Sequence, residues 1–94
     1  MNISNIKIRS IFTEGPLKAI ISVVIDECLA VHEIKVVQGN DRLFVAMPSR
    51  KDESGIYRDI IHPLDSNTRE EFERVILNAY DNYIKVEEIF NSED

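Results

Sequence analysis

The sequence predicts an α+β domain: an antiparallel β-sheet of about five strands followed by one long C-terminal amphipathic helix. Two observations carry this reading. Up to about residue 61 of the 94, runs of alternating or wholly apolar residues are separated by turn-forming residues, as in strands. From Phe72 onward the apolar residues fall at steps of three and four, the stripe of a helix.

The elements follow in order. Ile6, Ile8 and Phe12 alternate with Lys7, Arg9 and Ile11, which predicts a first strand with one buried and one wet face. Thr13-Glu14-Gly15-Pro16 is turn material. Leu17 to Ile25 is apolar at both parities, so the second strand should be central and covered on both faces. Asp26-Glu27 makes a tight reversal. In the third strand, Leu29 to Val37, the apolar phase slips between Val31 and Ile34, and a β-bulge near His32-Glu33 would restore one apolar face. Gln38-Gly39-Asn40-Asp41 is a second turn. Leu43 to Met47 forms a short, wholly apolar strand that Pro48 ends. Ser49 to Gly55 is polar throughout and reads as an exposed, mobile loop. Ile56 to Ile61 reads as a fifth strand, stopped by His62-Pro63.

Phe72, Val75, Ile76, Ala79, Tyr80, Tyr83, Val86 and Phe90 form the helical stripe, with the helix expected over 68–86 or on to 90. Asn67 or Thr68 is the expected N-cap, with Glu70 or Glu71 completing a capping box and Glu70, Glu71 and Glu73 at the positive end of the dipole. Arg69–Glu73, Glu70–Arg74 and Asp81–Lys85 are i,i+4 pairs of opposite charge. The reading is one domain over 1–90 with a frayed acidic end at 91–94.

With 44% hydrophobic and 30% charged residues, three Gly and three Pro, the balance is globular and excludes low-complexity chains. A chain this short buries only roughly 60–65% of its unfolded surface, so a second copy would aid stability. The wholly apolar strand Leu43–Met47, which would be an exposed edge on an isolated subunit, points the same way, to a homodimer. No apolar run reaches the roughly 18 residues of a membrane span, and no secretion signal opens the sequence. With one cysteine, the expectation is a reducing cytoplasm and no membrane partner. The net charge of −6 hides a segregation. Residues 1–51 carry seven Lys/Arg against five Asp/Glu, whereas residues 52–94 carry four against twelve. Any nucleic-acid contact must therefore be local.

Catalytic chemistry has little to stand on. Cys28 and His32, four residues apart on a strand, would be roughly 13 Å from one another, too far for a nucleophile and its base. Cys28 reads as a buried structural cysteine. His32 and His62 lack a third metal ligand, and the three glycines form no phosphate loop. No enzyme activity, cofactor or small-molecule substrate is expected. The basic residues offer more. Arg50 and Lys51 sit adjacent at the base of the polar loop and Arg58 lies on the strand leaving it, so the three are expected to cluster on one side of a β-hairpin, while Arg69 opens the helix. Such groups suit phosphate contacts; the alternative is a solvated loop. Lys7 and Arg9 share a face of the first strand, either extending a basic strip or guarding a sheet edge.

The chain resembles the SpoVG family of small bacterial septation regulators. The similarity rests on Thr13-Glu14-Gly15, Lys18-Ala19-Ile20, Val31-His32-Glu33-Ile34, Leu43-Phe44-Val45-Ala46-Met47-Pro48-Ser49, Tyr57-Arg58-Asp59-Ile60-Ile61-His62-Pro63, Asn67-Thr68-Arg69 and Val75-Ile76-Leu77-Asn78-Ala79-Tyr80. The resemblance implies a homodimeric, cytoplasmic regulator of sporulation, septation and gene expression that binds DNA and, in some members, RNA. It also implies nucleic-acid contact at Arg50-Lys51, here in reverse of the family's usual Lys-Arg order. The chain departs from the family at Ser10 and Pro16, where a basic residue is often found. The competing reading is a protein-interaction module of the septation machinery that binds no nucleic acid, using the acidic helix face with Leu77 and Ile84.

Overall fold

The computed structural model describes residues 1–92, with side chains through Ile89. Four strands, β1 (Ile3–Ile11), β2 (Leu17–Ile25), β3 (Leu29–Gln38) and β4 (Leu43–Ala46), form an antiparallel sheet in the order β1-β2-β3-β4. β5 (Ser49–Lys51) and β6 (Tyr57–Asp59) form a separate two-stranded hairpin, and α1 (Ser66–Ser92) follows. The α+β class is as the sequence predicts. The five-strand sheet becomes four strands plus a hairpin, because the predicted loop at Ser49 supplies a strand for Tyr57–Asp59. Among the described residues, no helix is long and apolar enough to cross a membrane.

β2 is central, as its apolar sequence requires, and one of its faces is the core. Ala19, Ile21 and Val23 are buried with Val31, Ile34 and Val36 of β3, Val45 of β4, Met47 beyond it, and Phe72 and Ile76 of α1. Among the described residues, no helix covers the other face of the sheet. There the structure departs from the predicted two-sided cover: Ile20 and Val24 are only half-buried.

Bulges set which side chains reach which face. Val23 pairs with Val31 and Ile21 with Ile34, so β3 carries one extra residue at His32-Glu33, where Glu33 has φ 62°. That bulge brings Val31, Ile34 and Val36 onto one buried face, as the phase slip predicted. β1 carries two further bulges, at Asn5-Ile6 and at Arg9. The one at Arg9 corrects the sequence reading. It turns Ile11 onto the core and leaves Phe12 at the surface, 38% exposed. Cys28 is corrected too: it lies exposed in the reversal between β2 and β3, where no sheet face can bury it.

The helix begins earlier than predicted. Its N-cap is Asp65, whose Oδ1 accepts from the Thr68 amide at 2.7 Å. Asn67 and Thr68 are therefore inside the helix, and Glu70, Glu71 and Glu73 lie beyond the first turn, where the dipole acts most. Of the suggested i,i+4 pairs, Asp81–Lys85 closes at 3.0 Å, while Glu73 is drawn instead to Arg42 in the turn before β4. α1 packs on β4 and β1. Phe72 and Ile76 are buried, Ala79 and Tyr80 are half-buried, and Tyr83, 38% exposed, lines a surface cavity together with Ile11. Leu77 packs against the core and is no spare docking residue. Of the frayed end predicted at 91–94, residues 91 and 92 are helical, and residues 93–94, like the side chain of Phe90, lie outside the described residues.

The bonds from the Thr68 amide and hydroxyl hold the Asp65 carboxyl below the usual carboxylate range. A depressed folded value stabilises above the unfolded value of about 3.9 and is lost as pH falls through the folded one. Asp65→Ala should therefore lower the melting temperature at pH 7, with the deficit shrinking below pH 4. Asp65→Asn, which keeps the cap oxygen, should lose less. Equal melting of parent and Asp65→Ala at pH 7 would place the cap elsewhere.

Candidate nucleic-acid interface

The hairpin is built by a tight turn at Asp52–Gly55. The Asp52 amide donates to the Ile56 carbonyl at 2.9 Å, and the Gly55 amide to the Asp52 carbonyl at 3.0 Å. Gly55 sits at φ 85°, a conformation that glycine adopts without strain. The Asp52 side chain finishes the turn, accepting from the Ser54 amide at 2.8 Å and the Ile56 amide at 3.0 Å. Its other oxygen takes the Arg58 Nε at 2.7 Å. That guanidinium, followed by the backbone donors, holds the Asp52 carboxyl below its usual range.

The register places Arg50 directly opposite Arg58 and Lys51 opposite Tyr57. Successive residues alternate faces. Arg50 and Arg58 therefore share one face of the hairpin, while Lys51 lies on the other, its Nζ 5.9 Å from the Tyr57 ring centroid. The three basic residues gather on one element but not on one side of it. Opposed like charges repel, and Asp52 relieves the repulsion by neutralising Arg58. The Arg50 side chain has no ion-pair or hydrogen-bond partner among the described residues. Arg69 stands exposed in the first turn of α1 and shares no hydrogen bond or ion pair with the hairpin among the described residues.

Lys7 and Arg9 lie elsewhere, on the sheet face turned away from the helix. They line one cavity of about 340 Å³ together with Ser22 and His32. The Arg9 Nε donates to Ser22 Oγ at 3.3 Å, and Ser22 Oγ lies 2.9 Å from His32 Nδ1. Ser22 is 6% exposed, the sole buried polar side chain among the described residues. Sequence reasoning passed over Ser22, and weighed His32 only as a base for Cys28, as a metal ligand with His62 and as a bulge position. The available sign was a serine interrupting the apolar run of β2, a residue that needs partners if it is to be buried there. His62 is occupied separately, its Nδ1 3.0 Å from the Pro63 carbonyl oxygen. Among the described residues, no group of three His, Cys, Asp or Glu side chains could hold a metal ion.

Fold and site together define a class: a small α+β domain with a helix-backed antiparallel sheet, whose basic residues sit on a projecting hairpin and on the open sheet face. The SpoVG family model matches residues 1–82, and the chain belongs to the SpoVG family. A relative from Lachnospira eligens is 46% identical over 88 residues, covering 94% of this chain and all of its own length. Another, from Clostridium perfringens strain SM101, is 48% identical over 81 residues, 86% of this chain and 90% of the relative. A third, from Clostridium kluyveri, is 44% identical over 93 residues, 99% of this chain and 96% of the relative. Each bears the name "Putative septation protein SpoVG".

Proposed function

We propose that this chain is a cytoplasmic, dimeric regulator in septation and sporulation that binds nucleic acid through its β5–β6 hairpin. The observation that carries the reading is the hairpin itself. It lies outside the main sheet and presents an unpartnered Arg50 beside Lys51 and Arg58. Tyr57, 69% exposed next to Lys51, adds an aromatic face on which an unpaired base could stack. The names of the relatives support the septation role. Fluorescence anisotropy with short duplex DNA, single-stranded DNA and RNA at low and moderate salt tests the binding.

Dimerisation is supported by exposed apolar surface around the hairpin. Leu29 (52% exposed) and Ile60 (63%) line one cavity, with Ile56 and Leu64 also at the surface. An isolated two-stranded hairpin is marginal in water, and a second copy packed on this surface would secure it. Light scattering of dilute protein should give about twice the 10.8 kDa chain mass. A monomer at micromolar concentration would contradict the proposal. The same apolar surface favours the second reading, a protein-interaction module without nucleic-acid binding, which a null anisotropy result would bring forward.

The Asp52–Arg58 pair gives a further expectation. Asp52→Asn keeps an oxygen for the turn amides and releases Arg58. Nucleic acid should then bind more tightly and with a steeper salt dependence. Weaker binding by a normally folded Asp52→Asn would mean that the paired geometry, not the free charge, is what binds.

A further inference from the structure

We propose that the cup formed by Lys7, Arg9, Ser22 and His32 on the open face of the sheet is a phosphate-binding site. Two bulges build it. The one at Arg9 in β1 and the one at His32-Glu33 in β3 flank β2 at Ser22. Bulges re-aim side chains, and here Arg9 and His32 converge on a single buried hydroxyl. A serine in the centre of an apolar strand is a cost unless its hydrogen bonds are satisfied. Valine or alanine would fill the position without that requirement.

The hydrogen-bond network shows which side-chain atoms around the cavity are already engaged. Ser22 Oγ accepts from the Arg9 Nε and lies within hydrogen-bond distance of His32 Nδ1, a contact its one proton and second lone pair can make with either tautomer of the ring. Nε2 is the ring nitrogen left outside this contact, and it is a donor when the serine gives its proton to Nδ1. The Arg9 terminal nitrogens are likewise free, because Nε holds the serine. Lys7 adds an ammonium on the same lining. Neither Lys7 nor Arg9 is ion-paired among the described residues, and no carboxylate lines the cavity. Three kinds of N–H donor around one dry hydroxyl match the several oxygens of a tetrahedral oxyanion. A cavity of about 340 Å³ admits a phosphate with its attached sugar.

The phosphate could be free or could belong to a nucleic-acid backbone. Ala30 and His32 line both this cup and the cavity at Pro48 and Ile60, next to the base of the hairpin. The cup stands on its own geometry, however, and does not require the hairpin to bind anything.

The test is NMR titration of the isotopically labelled full chain with inorganic phosphate, chloride being exchanged to hold ionic strength constant. Saturable shifts at the amides of Lys7, Arg9 and Ser22 and at the His32 ring are expected. Arg9→Gln, an exposed position that should not disturb folding, should weaken them at least tenfold. Arg50→Ala with Lys51→Ala should leave them unchanged. A single-stranded oligonucleotide that moves the same signals assigns a backbone phosphate; one that does not, while phosphate does, assigns a free phosphate. Either supports the cup. Three results would overturn it: no saturable shift, shifts indifferent to both Arg9→Gln and His32→Gln, or protection of these groups from a soluble paramagnetic agent in the phosphate-free protein, which would mean another copy covers the face. Failure of the cup with oligonucleotide binding intact would leave the hairpin reading standing.

Discussion

Ile76→Asp should leave no folded protein at room temperature. Ile76 is fully buried in the core that α1 shares with the sheet, a core whose other fully buried side chains include Ile21, Ile34 and Val36. No cationic side chain belongs to that core, so the new carboxylate would lose its water and gain no partner. Such a burial costs several kcal/mol, against about 5–15 kcal/mol for a whole domain. A 94-residue chain has a small core and little reserve. Ile76→Ala should remain folded but lose about 2–5 kcal/mol through the cavity it leaves. Val86→Asp, further along the stripe at a half-exposed site, should change stability by only about 0.5 kcal/mol. Circular dichroism melts of the three variants order them. Parent-like melting of Ile76→Asp would contradict the packing of the helix on the sheet.

Arg50→Ala with Lys51→Ala should abolish most nucleic-acid binding at moderate salt and leave melting nearly unchanged. Both side chains are exposed and belong to the small hairpin, not to the core. Removing Arg50 also removes its repulsion with Arg58 across the strand pair, which offsets the lost contact between Lys51 and Tyr57. Binding that depends on adjacent cations reads phosphates more readily than base edges. The variant should therefore lose affinity for all sequences alike. A large fall in melting temperature would mean that the pair serves folding.

The sheet was legible because burial imposes a period on sequence. β2 reads as central from its apolar run, and the phase slip in β3 announced the bulge at His32-Glu33. The bulge at Arg9 left no such trace: Ile11 and Phe12 are both apolar, so a slip between them leaves the pattern intact. The cap was misplaced by a few residues because Asp65, Asn67 and Thr68 all favour that position, and only the backbone geometry chooses among them. β5 escaped notice because Ser49-Arg50-Lys51 has no buried face, and its pairing with Tyr57–Asp59 is set by the turn. The basic residues of the candidate site were visible one by one. Their partners were not: Arg58 with Asp52, Lys51 with Tyr57 and Arg9 with Ser22 are contacts across strands and turns, which no local pattern encodes.

The salt dependence of binding tests the central claim most directly. Each phosphate neutralised on duplex DNA contributes about 0.9 to the slope of log K against log salt. Arg50 and Lys51 from two subunits amount to four cations, since Arg58 is already held by Asp52. Anisotropy titrations of duplex DNA over a salt series should give the parent a slope steeper than that of the double variant by up to about 3.6. A difference of about 1.8 would mean that a single subunit makes the contact. Equal slopes and equal affinities would contradict the account, leaving the hairpin as a solvated loop and the chain as a protein-interaction module.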